Sequence, residues 1–453
     1  MSELQNITWL WINAIISIIA LFALFTILIT EKIEKAVVSM LIAWILIILQ
    51  VFKDPSGKLS SQEIAGSYLY HNMDIFAFIT WMMILSWIAK DSGIFSYFAF
   101  KIVKKLKWNP ILLFLVLSYL SFFMTIFISN IPTIIILTPI VLLITKKLKL
   151  PSMVYILWII TFANLWWAVT PISDPTTYFQ ARTLHLSFWE VVSNTWLIMF
   201  SVTISSFTYL YFIFRNKLNT ISIDKKKLEE LQPENYIKNK TYAKYSLIVL
   251  FLVILFVVLR EFLVDNFWIK FENWTITLIW AFILILLTNN NVSKVLKKKV
   301  DFATLFFFAG LFVVVWALEY NWVIDKLADL LVDITAWSEK LLLAVLTIWS
   351  ALLSVFIDNV PYNIAMVSTL EAFKNNWIVI WPAWMALAWW LNSCTSIGWA
   401  GSPIGSACNV IALWQAEKRK IFISFAKYLA IWVPLVLINS SIAYLILYFR
   451  YLA

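Results

Sequence analysis

The side chains with the clearest capacity for chemistry lie in a polar segment within an apolar stretch, Thr170 to Thr177. This segment contains two prolines, the carboxylate of Asp174, and the hydroxyls of Thr176 and Thr177. Proline cannot donate a backbone hydrogen bond, so a continuous helix cannot be maintained here. Carboxylate and hydroxyl oxygens, with carbonyl oxygens freed by unwinding, can replace the water shell of a cation. The sequence therefore predicts an ion-binding loop in a broken helix over residues 166–177.

A second segment of this kind lies in the C-terminal half, in a predicted broken helix over residues 398–409. It reads Gly-Ser-Pro-Ile-Gly-Ser-Ala-Cys-Asn from residue 401 and again combines a proline with small polar side chains. Its candidate ligands are Ser402, Gly405, Ser406 and Asn409.

Two shorter polar interruptions predict re-entrant hairpins with tips at 129–133 and 358–363. The first apolar stretch has Lys at both ends, and its second arm, Ile134 to Thr145, makes a helix about 18 Å long. Such an arm is too short to cross a hydrocarbon layer of ~30 Å. The second hairpin is expected to enter from the opposite face. The candidate ligands at the tips are Ser129, Asn130, Thr133, Asp358 and Asn359.

The two acids also have a simpler interpretation. Asp174 or Asp358 would then only cap the N-terminus of a half-helix, where a carboxylate accepts backbone N–H bonds. An intramembrane carboxylate is costly and usually functional, which favours a role in ion binding.

Composition places these segments in an all-α polytopic membrane protein. Hydrophobic residues make up 62% of the chain and charged residues only 13%, and apolar runs long enough to cross a membrane recur throughout. The cysteines and histidines have no metal-ligand spacing, and no nucleophile and base arrangement or Walker motif occurs. We therefore expect a protein that is not an enzyme, needs no cofactor beyond a coupling Na⁺ or H⁺, and has the lipid bilayer rather than nucleic acid as its partner.

The basic residues predict the orientation. With the N-terminus outside, 25 of the 35 Lys and Arg residues fall in loops on one side, which marks that side as cytoplasmic. We expect the cytoplasmic membrane of a prokaryote, about ten crossings, and an amphipathic stretch, Asp91 to Lys107, in the cytoplasmic interface.

An internal repeat explains the opposed hairpins. Asn130 and Asn359 at the two tips lie 229 positions apart, and Pro171 and Pro403 in the two loops lie 232 apart. We predict two inverted-topology repeats, residues 1–214 and 245–453, joined by a charged cytoplasmic linker over 215–244. Opposed tips and interrupted helices related by a pseudo-twofold axis make a midplane site for ions or small polar solutes.

These motifs resemble the ion transporter superfamily, which includes citrate-transporter-like proteins, arsenite permeases, NhaD-type sodium/proton antiporters and the melanosomal P protein. The resemblance begins near Val37, and its most specific parts are Asp-Asn-Val-Pro at Asp358 and the segment that starts at Gly401. It implies scaffold helices that form a homodimer, and an elevator-like movement of the hairpin-bearing domain. By position, it implies one Na⁺ or substrate pocket from the first tip and Asp174, Thr176 and Thr177. The second tip and its loop would form the other.

The resemblance implies a secondary transporter of small ions. Sodium-coupled dicarboxylate carriers show Ser-Asn-Thr at both tips, whereas this chain has Ser-Asn-Ile-Pro-Thr and Asp-Asn-Val-Pro. That departure favours a cation/proton antiporter. A sodium- or proton-coupled carrier of citrate, dicarboxylate or an oxyanion such as arsenite is the alternative, and an ion channel is a lesser one.

Tryptophan is unusually frequent and glycine unusually rare, with 26 and seven residues respectively, whereas glycine is about 7% of an average protein. Several tryptophans, among them Trp166, Trp167, Trp322 and Trp399, stand where the repeat or the predicted loops favour glycine. We hypothesise that the source organism reads UGA as glycine and that these letters arose by standard translation.

Overall fold

The computed structural model describes residues 2–30, 33–54, 57–105, 110–172, 174–219, 232–267, 271–356, 359–375, 383–403 and 405–453. Within these ranges the regular secondary structure is entirely helical. The chain is an all-α polytopic membrane protein, as the composition predicts.

The described part of the first half contains ten α-helices. They are α1 (Ser2–Thr30), α2 (Lys35–Ile48), α3 (Ser61–His71), α4 (Met73–Ser92), α5 (Ile94–Lys105), α6 (Pro110–Ile128), α7 (Asn130–Lys147), α8 (Ser152–Trp167), α9 (Pro175–Thr183) and α10 (Phe188–Asn219).

Ten more α-helices follow in the described part of the second half, after a short 3₁₀ helix, Pro233–Tyr236. They are α11 (Lys240–Phe267), α12 (Asn273–Leu287), α13 (Val292–Lys299), α14 (Phe302–Tyr320), α15 (Val323–Ile334), α16 (Glu339–Leu353), α17 (Asn359–Asn375), α18 (Ala383–Trp399), α19 (Ala407–Glu417) and α20 (Phe425–Tyr451).

Helices of the two halves begin at corresponding positions. The first residues of α14, α15, α16 and α17 each lie 229 positions after those of α4, α5, α6 and α7, and α19 begins 232 positions after α9. These are the offsets of the sequence motifs. The agreement supports the predicted repeat, while the inverted orientation of the halves stays a prediction.

Six helices of the described part are long and apolar enough to cross a membrane: α1, α4, α10, α11, α14 and α20. The pair α12 and α13, bent by 117°, makes a seventh if it counts as one span. Four other apolar stretches, in α2, α6, α7 and α8, are shorter. In the described part, the remaining apolar stretches are divided into shorter helices, so fewer than ten of the expected crossings are long continuous helices.

Both predicted broken helices are interrupted. Helix α8 ends at Trp167 and α9 begins at Pro175, while α18 ends at Trp399 and α19 begins at Ala407. Helices α8 and α18, which lead into the loops, are buried along nearly their whole length. The two loops are therefore held at the centre of the molecule.

The first hairpin turns more tightly than the sequence suggests. The helix is interrupted only at Ser129, with a φ of 69°, and residues 130–133 form the first turn of α7 rather than a loop. Pro132 is compatible with helix there, because the first four N–H groups of a helix have no intrahelical acceptor.

Part of the predicted linker is packed rather than solvated. Helix α10 continues to Asn219, residues 220–231 lie outside the described part, and the Pro233–Tyr236 turn docks on α5. The ring of Tyr236 stacks on Phe100 with centroids 3.8 Å apart. A Cβ on Gly93, whose φ is +82°, would lie 2.0 Å from the Tyr236 carbonyl oxygen. An aromatic residue and a glycine thus bring the linker against the α4–α5 turn.

Candidate functional site

The two hairpins and the two loops line a common cavity of about 450 Å³, which we call the tip cavity. Its inner wall contains Ser129 and Asn130 from the first hairpin, Val360 from the second, and Trp167 and Ser406 from the two loops. Among its other lining residues, the charged ones are Lys35, Lys90, Lys299 and Asp301.

A chain of buried amides joins the two halves beside this cavity. Asn130 Nδ2 donates to Asn164 Oδ1 at 3.4 Å, and Asn164 Nδ2 donates to Asn409 Oδ1 at 2.8 Å. Asn164 lies on α8, so α8 of the first half is bonded to α19 of the second. All three side chains are buried. Buried amides of this kind require hydrogen-bond partners, which makes the contact between the halves specific.

The second loop is stabilised by its own polar residues. Asn409 Nδ2 donates to the carbonyl oxygens of Trp399 and Ser402 at 2.9 and 2.8 Å. Ser406 caps α19 by accepting from the Cys408 backbone N–H at 3.3 Å. These contacts satisfy backbone groups that the interrupted helix leaves without helical partners.

Asp174 caps α9, as the simpler interpretation of this acid requires. Its carboxylate accepts from the Thr176 backbone N–H at 2.8 Å, from the Thr176 hydroxyl at 2.7 Å, and from the Thr177 hydroxyl at 2.5 Å. Asp174 is buried, and its neighbour Pro175 lines the tip cavity.

The hydroxyl of Thr177 also reaches the other half of the chain. Its oxygen lies 2.8 Å from Asn392 Oδ1 on α18, and Asn392 Nδ2 donates to the Ala168 carbonyl at 2.8 Å. Helix α9 is thus bonded to α18 as α19 is bonded to α8. Each half-helix after a loop contacts the helix before the loop of the other half.

The structure groups the predicted site residues differently from the expected pockets. Asn130 of the first tip is linked to Asn409 of the second loop, not to Asp174. Thr133 donates back to the Ser129 carbonyl at 2.7 Å, and Ser402 donates to the Val355 carbonyl at 2.5 Å, so both hydroxyls have backbone acceptors. The backbone at Gly405 lies close to that of Val355, since a Cβ at Gly405 would be 2.9 Å from the Val355 carbonyl oxygen. Asp358 and the side chain of Asn359 lie outside the described residues.

Two central residues, Asn164 and Asn392, are absent from the sequence-based candidates. Each lies in an otherwise largely apolar helix a few residues before a loop. An amide buried in such a helix is costly unless it finds a partner. An asparagine within an apolar run is therefore the sequence feature that marks these two residues as candidates.

A larger cavity of about 1140 Å³, which we call the vestibule, lies toward the other end of α4. Asp74 near the start of α4 lines the vestibule and pairs with Arg182 at 3.0 Å, whereas Lys90 near the end of α4 lines the tip cavity. These residues are separated by about 24 Å of helix. The two cavities therefore approach the centre from opposite ends of the span.

Two aromatic rings form part of the tip-cavity wall. Trp167 and Trp399, which lie 232 positions apart, stack with centroids 4.5 Å apart and an angle of 10° between their planes. Both are buried. The buried indole N–H groups of Trp158, Trp390 and Trp399 have no hydrogen-bond acceptor among the described residues. Unsatisfied donors of this kind are rare in proteins.

Comparison with known proteins identifies the family. A model of the citrate transporter family matches residues 25–391. The chain belongs to this family. It is 22% identical to an uncharacterized transporter of Mycobacterium bovis over 442 residues, which cover 97% of this chain and 99% of that protein. It is also 25% identical to a 46 kDa membrane protein of Mycobacterium leprae over 83% of this chain and 86% of that protein.

The chain also matches about half of the P protein of mouse. It is 23% identical over 446 residues, which cover 82% of this chain and 53% of the P protein. Family membership and these relatives identify a membrane transporter and not an enzyme, as the motifs predict.

Proposed function

We propose that this protein is a secondary active carrier of small ions, coupled to Na⁺ or H⁺ and similar to sodium/proton antiporters. The observation that carries the proposal is the buried polar junction between the halves, with one cavity toward each end of α4. Alternating access requires a central site that is reached from one side at a time. An elevator-type movement of the hairpins, a homodimer and a prokaryotic cytoplasmic membrane are part of the same proposal.

The polar atoms of the junction favour a cation. Asp174 supplies a carboxylate, Thr177 a hydroxyl, and Asn164, Asn392 and Asn409 supply amide oxygens. Oxygen ligands of this kind suit Na⁺. A carboxylate among them can bind either Na⁺ or a proton. All five side chains are buried, so the junction is filled by protein. A filled junction favours a carrier over an open channel.

The proposal is tested by reconstitution into liposomes that contain a pH-sensitive dye. We expect an imposed Na⁺ gradient to drive saturable proton movement, and Asp174→Asn to abolish coupling while expression is maintained. Asp329→Asn is the matched control, because Asp329 lies on the exposed face of α15 and pairs with Lys326 at the surface. Asp358→Asn is expected to behave like Asp174→Asn. Undiminished pH-dependent sodium exchange in both the Asp174 and Asp358 variants would contradict cation coupling at these acids.

The alternative is a coupled carrier of citrate or another anion. It is favoured by the family to which the chain belongs and by Lys35, Lys90 and Lys299 along the tip cavity. Uptake of labelled citrate into the same liposomes, without sodium-driven dye quenching, would support this alternative. Fast single-channel currents in a planar bilayer would instead indicate a channel.

A further inference from the structure

The Thr177 hydroxyl lies between two hydrogen-bond acceptors. Its oxygen is 2.5 Å from Asp174 Oδ2 and 2.8 Å from Asn392 Oδ1. A hydroxyl has one hydrogen, so it can donate to only one of them. If Asp174 is ionised, the other contact brings two oxygens together with no hydrogen between them.

The orientation of Asn392 cannot be reversed to remove this conflict. Its Nδ2 donates to the Ala168 carbonyl oxygen at 2.8 Å. Exchanging the amide oxygen and nitrogen would place Oδ1 against that carbonyl, which is also an acceptor. Oδ1 of Asn392 therefore faces Thr177.

A proton on Asp174 satisfies all three groups. The protonated carboxyl donates through Oδ2 to Thr177, Thr177 donates to Asn392 Oδ1, and Asn392 donates to the Ala168 carbonyl. Each hydrogen bond in this series then has one donor and one acceptor. A bound cation would also remove the conflict, since all three oxygens would then be its ligands.

The same pair of helices has another surplus acceptor one turn away. Gln180 on α9 donates through Nε2 to the Ala388 carbonyl on α18, and its Oε1 has no donor among the described residues. Gln180 is buried. The contact between α9 and α18 is thus rich in oxygen acceptors and poor in donors.

We propose that Asn392 completes a binding site for one monovalent cation with Asp174 and Thr177, and that a proton occupies this site in the conformation described. The proposal rests on the proposed cation coupling and adds to it a residue from the opposite half. Because Asp174 and Asn392 belong to different halves, movement of α9 away from α18 would remove the acceptor of the Thr177 hydroxyl, which could then donate to an ionised Asp174. Proton release would in this way be linked to the conformational change.

Several helices at or near the site carry other titratable or charged groups. Helix α4 carries Asp74, Lys90 and Asp91, α17 carries Tyr362, Glu371 and Lys374, α18 carries Cys394, and α9 itself carries Tyr178 and Arg182. Among the described residues, the hydrogen bonds of the Asp174 carboxylate are to Thr176 and Thr177. Within the described part, Thr176 and Thr177 are therefore the polar side chains in direct contact with the Asp174 carboxylate, and Asn392 contacts it through Thr177.

Infrared difference spectroscopy of the purified full-length protein tests this site without any transport measurement. A band from the protonated Asp174 carboxyl should appear as pH is lowered and be missing in Asp174→Asn, while the bands of the other acids remain. In Asn392→Leu the hydrogen bond that supports the protonated form is lost, so the pH midpoint of the band should fall by about one unit. In Asn392→Asp a second carboxylate disfavours ionisation, so the midpoint should rise. Added Na⁺ should lower the midpoint in the unmodified protein.

The matched control is Asn439→Leu, which removes a buried amide bonded to Ser206 on a different pair of helices. Its midpoint should equal that of the unmodified protein. The same midpoint in Asn392→Leu, Asn392→Asp and the control would overturn the role of Asn392. A normal Asp174 titration without sodium-driven flux would instead leave this site intact and contradict the proposed function. Should Asn392→Leu fail to fold, Asn392→Asp tests the role of Asn392 by itself, because the pH midpoint is expected to rise in that variant.

Discussion

At the scale of single residues, Trp322 occupies a position that suits glycine. Its φ and ψ are 61° and 14°, in the left-handed region, and its N–H donates to the Glu319 carbonyl. Gly93, 229 positions earlier, has φ and ψ of 82° and 5° and donates in the same way to Lys90. Left-handed backbone costs roughly 1–2 kcal/mol for residues with a Cβ. The geometry therefore supports the hypothesis that residue 322 is glycine in the natural protein.

Replacing Trp322 by Gly should stabilise the protein by about 1 kcal/mol. The Trp322 side chain is 60% exposed, so little packing is lost with it. The control is Trp349→Gly, because Trp349 is 55% exposed but lies inside α16. Glycine there should destabilise by about 0.5 kcal/mol. Thermal unfolding in detergent would measure both, and an equal loss of stability in the two variants would contradict the argument.

At the scale of elements, close contact between α16 and α18 positions the second loop. A Cβ on Gly398 would lie 2.3 Å from the Ala351 carbonyl oxygen on α16. Ser354 at the end of α16 also donates to the Thr395 carbonyl at 3.0 Å. These contacts hold the last turn of α18, and hence Trp399 and the start of the loop, against the second hairpin.

Gly398→Ala should destabilise the protein by about 1–3 kcal/mol, because the added methyl meets backbone atoms that cannot move independently. It should also reduce transport by displacing the loop. Gly66→Ala in α3 is the control, since nothing lies within 4 Å of its added Cβ. That variant should be neutral or slightly more stable. Unfolding temperature and liposome flux would be compared for the two proteins, and equal behaviour would show that the α16–α18 contact tolerates a side chain.

At the scale of the whole molecule, the distribution of basic residues predicts which face is cytoplasmic. Lys294 lies on α13, on the predicted cytoplasmic side, and Lys326 on α15, on the predicted outer side; both are exposed. The two native cysteines are buried and should not react. In intact cells, a membrane-impermeant maleimide should label Lys326→Cys and not Lys294→Cys. The reverse pattern would show that the N-terminus is inside.

The tryptophan hypothesis also has a consequence at this scale, because Trp167 and Trp399 stack at the wall of the tip cavity. With glycine at both positions, the wall would lose two indole rings and the cavity would be larger. We expect UGA codons at both positions in the gene and glycine in peptides of the protein purified from its source. UGG codons there would refute the hypothesis.

Much of the architecture follows from the order of residues alone. Long apolar runs must be helical in a bilayer, because only internal hydrogen bonds satisfy their backbone. Prolines clustered with polar residues within such runs locate the interruptions at 166–177 and 398–409, since a proline removes a backbone donor and the polar groups favour an unwound segment. The repeat offsets of 229 and 232 anticipate where the helices of the second half begin. The polar residues also locate the tip at Ser129, although Asn130 to Thr133 are helical.

Which residues meet at the centre was decided only by the tertiary structure. The family resemblance implies that Asp174 and Thr177 form one site with the first hairpin tip, but the structure places Thr177 against Asn392, 215 positions away. It likewise joins Asn164 to Asn409, 245 positions away. Polarity and spacing report where a helix breaks, because that depends on neighbouring residues. Pairing across the two halves depends on how helices pack, because the sequence around a lone asparagine in an apolar helix does not indicate which residue it contacts.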